Sequence, residues 1–497
     1  MINPLLSLPF VASLEELGND YWDVVEAAKF PCTKLCFRNN SILKQLGLNP
    51  NTINDHDFEE AYGMFKERAP LLALRYHGYQ FGNYNPYLGD GRGFLYGQLH
   101  DKYGRLQDLG TKGSGTTPWS RGGDGRLTLK GGVREIIASE VLHKLGIQTS
   151  RTLSLIETGE KLWRGDEPSP TRSSVMVRMA HTHLRFGTLE RLLYLKKPKL
   201  LEKLLRYVIA TYYPHIASIH PGDEQYSQKR LEGQVLAFYG ELVERTAKLA
   251  AGWMAAGFTH GVLNTDNMSL VGESFDYGPF AFIERWDPNF TAAYFDQTGL
   301  YSFGRQPTIC HNNLELLQEP LSMILPREQM AEKLEGFAHF YQKHYQFCLY
   351  RRLGLDANVE KLANCSDFRS SNHDLLQLTL DLLATVPINY GSFFKGLTKQ
   401  VSKNGLPCES EQLIPSFFDQ HSLPRQLWLA WRDSWWSHQH LAITNDPNEE
   451  EEIPKRLKHW NLDITPTRSV IESLWQPIEQ EDNWEPFQSW LIKNSFN

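Results

Sequence analysis

The segment His260-Gly261-Val262-Leu263-Asn264-Thr265-Asp266-Asn267, followed by Phe275-Asp276-Tyr277-Gly278, gathers oxygen ligands and an acid into two short loops. Asn267 and Asp276 are donors of the kind a hard cation such as magnesium takes when phosphates and water complete its shell. Asp266, beside them, has two readings: an acid that positions or deprotonates an acceptor hydroxyl, or a loop aspartate making a local turn. Spacing alone does not separate the two. His260 is read as a residue that steadies the loop. Upstream, Gly89-Asp90-Gly91-Arg92-Gly93 lets backbone N–H groups approach phosphate oxygens, and Arg92 adds a charge-assisted fork. The plainer reading of that run is a glycine-rich turn between strands. Lys112 and Glu135 have the types and order of a phosphate-binding lysine held by a helix glutamate. Taken alone, they are a surface lysine and an acid favoured at a helix start. Asp124, Gly125 and Arg126 form a second polar turn between them. Arg178 sits in the apolar run Val175-Met176-Val177-Arg178-Met179, where a guanidinium needs a partner. That partner is either a nucleotide phosphate or a buried carboxylate. Arg185, in Leu184-Arg185-Phe186-Gly187, is a further candidate for neutralising a triphosphate.

The order of these groups matches the loops of protein kinases, His-x-Asp-x-x-x-x-Asn followed by Asp-Phe-Gly. Aligning His260 with the first position puts Asn267 on the magnesium asparagine and Val262 where the base belongs. Valine neither takes a proton nor orients a hydroxyl. The spacing therefore predicts nucleotide and metal binding without ordinary phosphoryl transfer.

The elements that must position these groups follow from local periodicity. Residues 11–80 mix short helical patterns, 14–30 and 58–68, with asparagine-rich loops. Residues 94–99 and 105–109, around a turn near Tyr103-Gly104, read as a β-hairpin. Residues 133–145 read as a helix stopped by Gly146, and 175–179 as a strand. Helical period dominates from 189 to 258, and its last helix, 242–256, runs into the His260 loop. Residues 268–271 and 275–276 are expected to pair as a second small hairpin around Gly272-Glu273-Ser274. Helices resume after Asn312. The acidic run 449–452, between Pro447 and Pro454, is read as a solvated loop or linker. This order predicts an α+β, bilobal protein-kinase-like fold: a small β-rich N-lobe, a larger helical C-lobe, and N- and C-terminal extensions. The expected boundaries are 1–75 (N-terminal extension), 76–188 (nucleotide-binding N-lobe), 189–400 (C-lobe with the catalytic and metal loops) and 401–497 (C-terminal extension).

A net charge of -7 and the lack of a basic block argue against a nucleic-acid partner. The six cysteines, Cys32, Cys36, Cys310, Cys348, Cys365 and Cys408, show no zinc-type spacing, and Cys32 and Cys36 are read as buried free thiols. Sparse, unpatterned thiols suit a reducing compartment. The first ten residues have no basic region, and no apolar run approaches the roughly twenty residues of a membrane span. The expected location is the cytoplasm, without a membrane partner.

Several long motifs carry a more specific resemblance. Gln80-Phe81-Gly82, Leu88-Gly89-Asp90-Gly91-Arg92 and Thr111-Lys112-Gly113-Ser114-Gly115-Thr116-Thr117-Pro118-Trp119-Ser120-Arg121-Gly122-Gly123-Asp124-Gly125-Arg126 resemble the signature of the selenoprotein O (SelO) family. So do Arg134-Glu135, Arg185-Phe186-Gly187 and the loops from His260 to Phe280; the likeness is dense over residues 75–310. The resemblance implies a kinase-like fold that binds ATP flipped end for end and transfers AMP to Ser, Thr or Tyr hydroxyls of other proteins. UMP transfer from UTP with manganese is also attributed to the family. Carried over, the nucleotide contacts fall on Gly89, Gly91, Arg92, Lys112, Asp124, Gly125, Arg178, Arg185 and Asp276. Glu135 holds Lys112, Asn267 and Asp276 bind Mg2+ or Mn2+, and Asp266 is the proton acceptor. The chain departs from the family pattern in three places. Leu109-Gly110-Thr111-Lys112-Gly113 replaces Leu-Gln-Leu-Lys-Gly, Gly131-Gly132 replaces Ser-Ser, and no cysteine follows Cys408, so redox control through the tail is not carried over. The expected function is metal-dependent protein nucleotidyl transfer, chiefly of AMP. Its rivals are a kinase-type phosphotransferase, against which Val262 counts, and a catalytically silent ATP-binding scaffold.

Overall fold

The structure, a computed structural model, describes residues 3–165, 167–218, 227–355, 366–413 and 424–494. Strands β1 (Trp22–Val25), β2 (Lys34–Arg38) and β3 (Leu71–Leu74) come first, with helices α1 (Asn40–Gln45) and α2 (Asp55–Phe58) between β2 and β3. A short hairpin, β4 (Gly78–Gln80) and β5 (Asn83–Asn85), precedes the longer pair β6 (Leu95–His100) and β7 (Leu106–Lys112). Then come β8 (Leu127–Thr128), helix α3 (Leu129–Lys144), β9 (Arg151–Leu162) and β10 (Thr171–Ala180).

Among the described residues, eight of these strands form one antiparallel sheet in the order β1-β3-β6-β7-β10-β9-β2, with β8 on β10. The β6–β7 hairpin closes as its residues dictate: Asp101 Oδ1 accepts the N–H groups of Tyr103 and Arg105 at 2.9 and 3.0 Å, and Gly104 takes φ 75°. In the β7–β10 ladder Lys112 pairs with Met176 and Gly110 with Arg178, so Lys112 and Arg178 leave the same face. Helix α3 begins earlier than periodicity suggests because the Thr128 hydroxyl caps it, accepting the Gly131 N–H at 3.1 Å. Its apolar residues Val133, Ile136, Ile137 and Val141 are fully buried.

The helical part comprises α4 (Phe186–Tyr194), α5 (Pro198–Tyr212), α6 (Pro214–Ala217) and the long α7 (Ser227–Ala256). Leu231, Val235, Phe238 and Leu242 recur at helical spacing along α7, and all are buried. A two-strand ribbon, β11 (Phe258–Thr259) and β12 (Ala281–Phe282), brackets the candidate loops. Beyond it lie α8 (Gln306–Leu321), α9 (Arg327–Glu335), α10 (Phe337–Arg352), α11 (Ser366–Thr385), α12 (Tyr390–Asn404) and α13 (Arg425–Asn445). Trp428, Trp431 and Trp435, three and four residues apart on α13, centre a second core; the Trp435 indole N–H donates to the Leu353 carbonyl at 2.9 Å. The last helices are α14 (Glu449–Trp460), α15 (Arg468–Glu481) and α16 (Glu485–Lys493). They return to the sheet: Arg172, bonded to Glu157, also reaches Asp482 at 2.8 Å, and Lys130 reaches Glu472 on α15 at 2.8 Å.

The α+β class follows the expectation, and several local details do not. Residues 14–30 hold only a short 3-10 turn, Glu15–Leu17, before β1, because the backbone of Trp22–Val25 is taken up by β3 in register with Leu71–Leu74. Three strands of the sheet thus come from the segment expected as an N-terminal extension. Residues 268–276 do not pair with one another. Ser269 bridges to Arg185 and Ser274 to Thr149, so this loop stitches the helical part to the sheet. The acidic run 449–452 is the first turn of α14 rather than a linker, since its carboxylates meet the positive end of a helix and Glu449 pairs with Arg456 at 2.6 Å. Cys36 lies half-buried in β2 and Cys32 is exposed, contrary to two buried thiols; Cys365 lies outside the described residues.

Candidate active site

A cavity of about 630 Å³ opens between the sheet, the glycine-rich run at 89–93 and the 260–280 loops. Gly89, Gly91, Arg92, Lys112, Asp124, Gly125, Arg178, Arg185, Asn267 and Asp276 all border it, as does Val262. Glu135 and Asp266 stand outside that lining and act on it through contacts. Lys112 Nζ bonds Glu135 Oε1 and lies 3.4 Å from Asp276 Oδ1. Arg178 Nη1 reaches Asp276 Oδ1 at 2.5 Å and Glu135 Oε2 at 3.7 Å. Arg185 Nη1 donates to Asp276 Oδ2 and to the Asp266 carbonyl oxygen, both at 2.8 Å. The two alternatives posed for Arg178 therefore coexist geometrically: it is ion-paired, and it faces the cavity.

Two local features place these groups. The stitching bonds of the 268–274 loop, Phe186 N–H to Met268 O at 2.9 Å and Leu270 N–H to Leu184 O at 3.2 Å, bring Arg185 against Asp276. Asp276 itself takes φ 60°, a left-handed conformation that aspartate tolerates better than most residues. His260 ties the two loops by donating from Nε2 to the Phe275 carbonyl at 2.9 Å.

Lys112, Arg178 and Arg185 are interleaved with Glu135, Asp276 and Asp90 at this end of the cavity. Burial opposes ionisation of Asp276, but Arg178, Lys112 and Arg185 outweigh it and hold its carboxyl well below the usual range. Burial draws the Lys112 pKa down against the pull of Glu135 and Asp276. Burial pushes Asp266 up to about 6, against the lowering effect of Arg185. One Asp266 oxygen, Oδ1, is buried without a hydrogen-bond partner beneath Gly78.

The donor set suits a hard cation that shares phosphate ligands. Asn267 commits its Nδ2 to the Val262 carbonyl at 2.9 Å, which leaves Oδ1 free to serve a cation, and Asp276 is kept ionised. Among the described residues no group of three or more His, Cys, Asp and Glu side chains could hold a metal unaided.

The glycines have steric reasons. A Cβ at Gly89 would meet the Trp119 ring at 2.4 Å, and one at Gly125 would meet the Gly115 carbonyl oxygen at 2.2 Å, with φ 69° besides. Two departures from the SelO pattern are also explained. A Cβ at Gly110 would stand 2.4 Å from His183 Nε2, and one at Gly132 would stand 2.4 Å from Leu155 Cδ1. Asp124 is bound to Arg164 at 2.8 Å and caps the Arg126 N–H at 3.0 Å.

Sequence reasoning missed Arg164 and His183, which border the cavity, and Glu190, whose Oε2 accepts the Thr265 hydroxyl at 2.8 Å. Burial pushes the Glu190 carboxyl up to about 8. None of the three sits in a chemistry-bearing motif, so only the fold reveals them.

Comparison with known proteins places the chain in a family. The family model described as "Protein adenylyltransferase SelO" matches residues 4–495. A protein from Synechococcus elongatus named protein nucleotidyltransferase YdiU is 52% identical over 494 residues, covering 98% of this chain and 95% of its own length. The protein of that name from Trichodesmium erythraeum is 51% identical over 492 residues, covering 99% of each chain. One from Pseudomonas fluorescens is 35% identical over 416 residues, covering 83% of this chain and 78% of its own. Matched along nearly its whole length by the family model and by relatives of this similarity, the chain belongs to the SelO family.

Proposed function

We propose that this chain is a protein nucleotidyltransferase that moves AMP from ATP to Ser, Thr or Tyr hydroxyls of other proteins. The observation that carries the reading is the convergence of Lys112, Arg178 and Arg185 on Asp276 while Val262 borders the same cavity. Three cations suit a triphosphate, and valine at the kinase base position suits a reaction other than γ-phosphoryl transfer. The names of the relatives, which denote protein nucleotidyl transfer, support the same class. UTP as an alternative donor belongs to the same reading.

In this reading the sheet corresponds to a kinase N-lobe, 76–188 joined by the strands β1, β2 and β3 from the preceding segment, and the helical part at 189–400 corresponds to a C-lobe. Gly89, Gly91, Arg92, Asp124 and Gly125 cradle the nucleotide, and Lys112, held by Glu135, grips phosphate oxygens with Arg178 and Arg185. Asn267 and Asp276 would hold Mg2+ or Mn2+, which when bound supplies charge neutralisation at the phosphates. The acceptor hydroxyl oxygen bonds to the α-phosphorus, the bond to the β-phosphate bridging oxygen breaks, and pyrophosphate leaves. The hydroxyl proton passes to Asp266. Positioning and electrostatic stabilisation supply most of the rate. Among the described residues no helix is long and apolar enough to cross a membrane.

The test is label transfer to proteins of a cell lysate, with ATP labelled at the α- or the γ-phosphate and with magnesium or manganese. Labelling from the α position alone, abolished in Asp266→Ala with ATP binding intact, is the expected result. Labelling from γ alone makes the protein a kinase. No label from either position, with ATP bound, makes it a scaffold.

A further inference from the structure

His183 is 6% exposed, yet it borders the nucleotide cavity. Its ring is fixed from one side: Asp108 Oδ2 accepts the His183 backbone N–H at 2.7 Å and faces Nδ1 at 3.2 Å, while Gln98 Nε2 holds Asp108 Oδ1 at 2.7 Å. The other ring nitrogen, Nε2, is buried and has no hydrogen-bond partner. A buried polar atom left unpaired costs stability, and in a residue that borders a ligand cavity it calls for a partner. The ring also has a built seat. It lies over Gly110, where any Cβ would stand 2.4 Å from Nε2, so the glycine makes room for this imidazole.

The position of that seat identifies what Nε2 meets. Gly110 is the cross-strand partner of Arg178, and Lys112 lies two residues along β7 on the same face. Arg185 follows His183 by two residues and approaches Asp90 at 3.6 Å, and all three residues border the cavity. The imidazole therefore borders the same cavity as Lys112, Arg178 and Arg185, the groups suited to phosphate.

We infer that His183 is a specificity-determining residue whose Nε2 hydrogen-bonds the terminal phosphate of the bound triphosphate. This rests on the nucleotidyl-transfer reading, in which that end of the nucleotide leaves as pyrophosphate. A phosphate oxygen accepts, so Nε2 meets it as an N–H donor while Asp108 holds the opposite side of the ring. The contact distinguishes a triphosphate from shorter nucleotides.

Calorimetry on the full chain with magnesium tests it, using the α,β-methylene analogue of ATP, which cannot transfer AMP, against AMP. In His183→Ala the affinity for the triphosphate analogue should fall roughly ten- to hundred-fold, as for a lost charge-assisted bond, while AMP affinity holds. His183→Gln, which restores an N–H donor, should recover part of the loss, and it decides the matter if the alanine variant unfolds. Equal loss for AMP and the analogue would overturn the proposal by making His183 a contact of the base or a purely structural residue. Unchanged affinity of both variants for the analogue would also overturn it. Label transfer by the unsubstituted protein keeps the two readings apart. Labelling from the γ-phosphate sinks nucleotidyl transfer, whereas α-labelling with unchanged analogue affinity in both variants sinks only the His183 contact.

Discussion

Gly78 packs so closely on Asp266 that a Cβ at residue 78 would stand 2.9 Å from the carboxylate oxygen Oδ1 and 3.0 Å from the Asp266 Cβ. The β4–β5 hairpin is seated on the Asp266 loop by backbone donors, Tyr79 N–H to Thr265 Oγ1 at 2.8 Å and Phe81 N–H to Asn264 Oδ1 at 3.2 Å. This seat fixes where the Asp266 carboxyl lies. Gly78→Val must displace either the hairpin or the acid, and in the proposed role of Asp266 as proton acceptor an ångström-scale shift costs on the order of a hundred-fold in rate. Nucleotide transfer should fall by that order while ATP affinity, set by groups around the cavity, stays within roughly two-fold. Transfer rates measured beside calorimetry check this; an unimpaired valine variant would remove the hairpin from the positioning of Asp266.

The Lys112–Glu135 pair is buried on both sides, with side-chain exposures of 7% and 5%. Burial already draws the lysine toward its neutral form, and Glu135 is the larger of the two carboxylate influences opposing that. Glu135→Gln removes the opposing charge and leaves a buried ammonium with Asp276 alone. Breaking a buried pair in this way costs about 3 kcal/mol of stability, and the loosened lysine should weaken triphosphate binding by roughly ten-fold. Denaturant titration and nucleotide calorimetry read the two effects separately. A variant unchanged in both would show that Lys112 needs no partner.

What could be read from the sequence was local. The Leu95–Lys112 hairpin and the body of α3 announce themselves because the turn near Tyr103-Gly104 and the four-residue apolar spacing of Ile137, Val141 and Leu145 act over a few residues, whereas the Thr128 cap that starts α3 earlier emerged only in the fold. The cavity-lining residues named from motifs do come together around one space. Long-range pairing was hidden. Nothing within residues 22–25 states that they will join Leu71–Leu74, and nothing within 268–274 states that Ser269 and Ser274 will bridge to different parts of the chain. Burial was hidden in the same way: Glu190 and His183 are ordinary residues in sequence and become exceptional only when neighbours exclude water and leave Glu190 Oε1 and His183 Nε2 unpaired. The shielding of Asp266 by Gly78 is likewise a contact between residues far apart in sequence.

Glu273, on the segment that joins Asn267 to Asp276, gives the molecule a pH signature at a second cavity. Its Oε2 accepts the His181 N–H at 3.0 Å, and the residue borders a second cavity with Arg105, His181 and Arg245. Burial dominates its ionisation; the His181 N–H lowers the pKa, Asp108 raises it and Arg105 lowers it, and the net effect is a rise from 4.5 to about 8. Between these two values the folded protein holds a proton that the unfolded chain has lost. The stability that Glu273 contributes is therefore complete below about pH 4.5, declines as the pH rises and is gone above about pH 8. Glu273→Gln keeps the shape and has no proton to lose. Its stability relative to the unsubstituted protein should improve progressively from pH 5 to pH 8, by on the order of a few kcal/mol across the window. Urea midpoints compared at several pH values in that range measure the difference directly, because other titrating groups cancel between the two proteins. Parallel curves would show that Glu273 is ionised in the folded protein and that Arg105 and Arg245 compensate its burial.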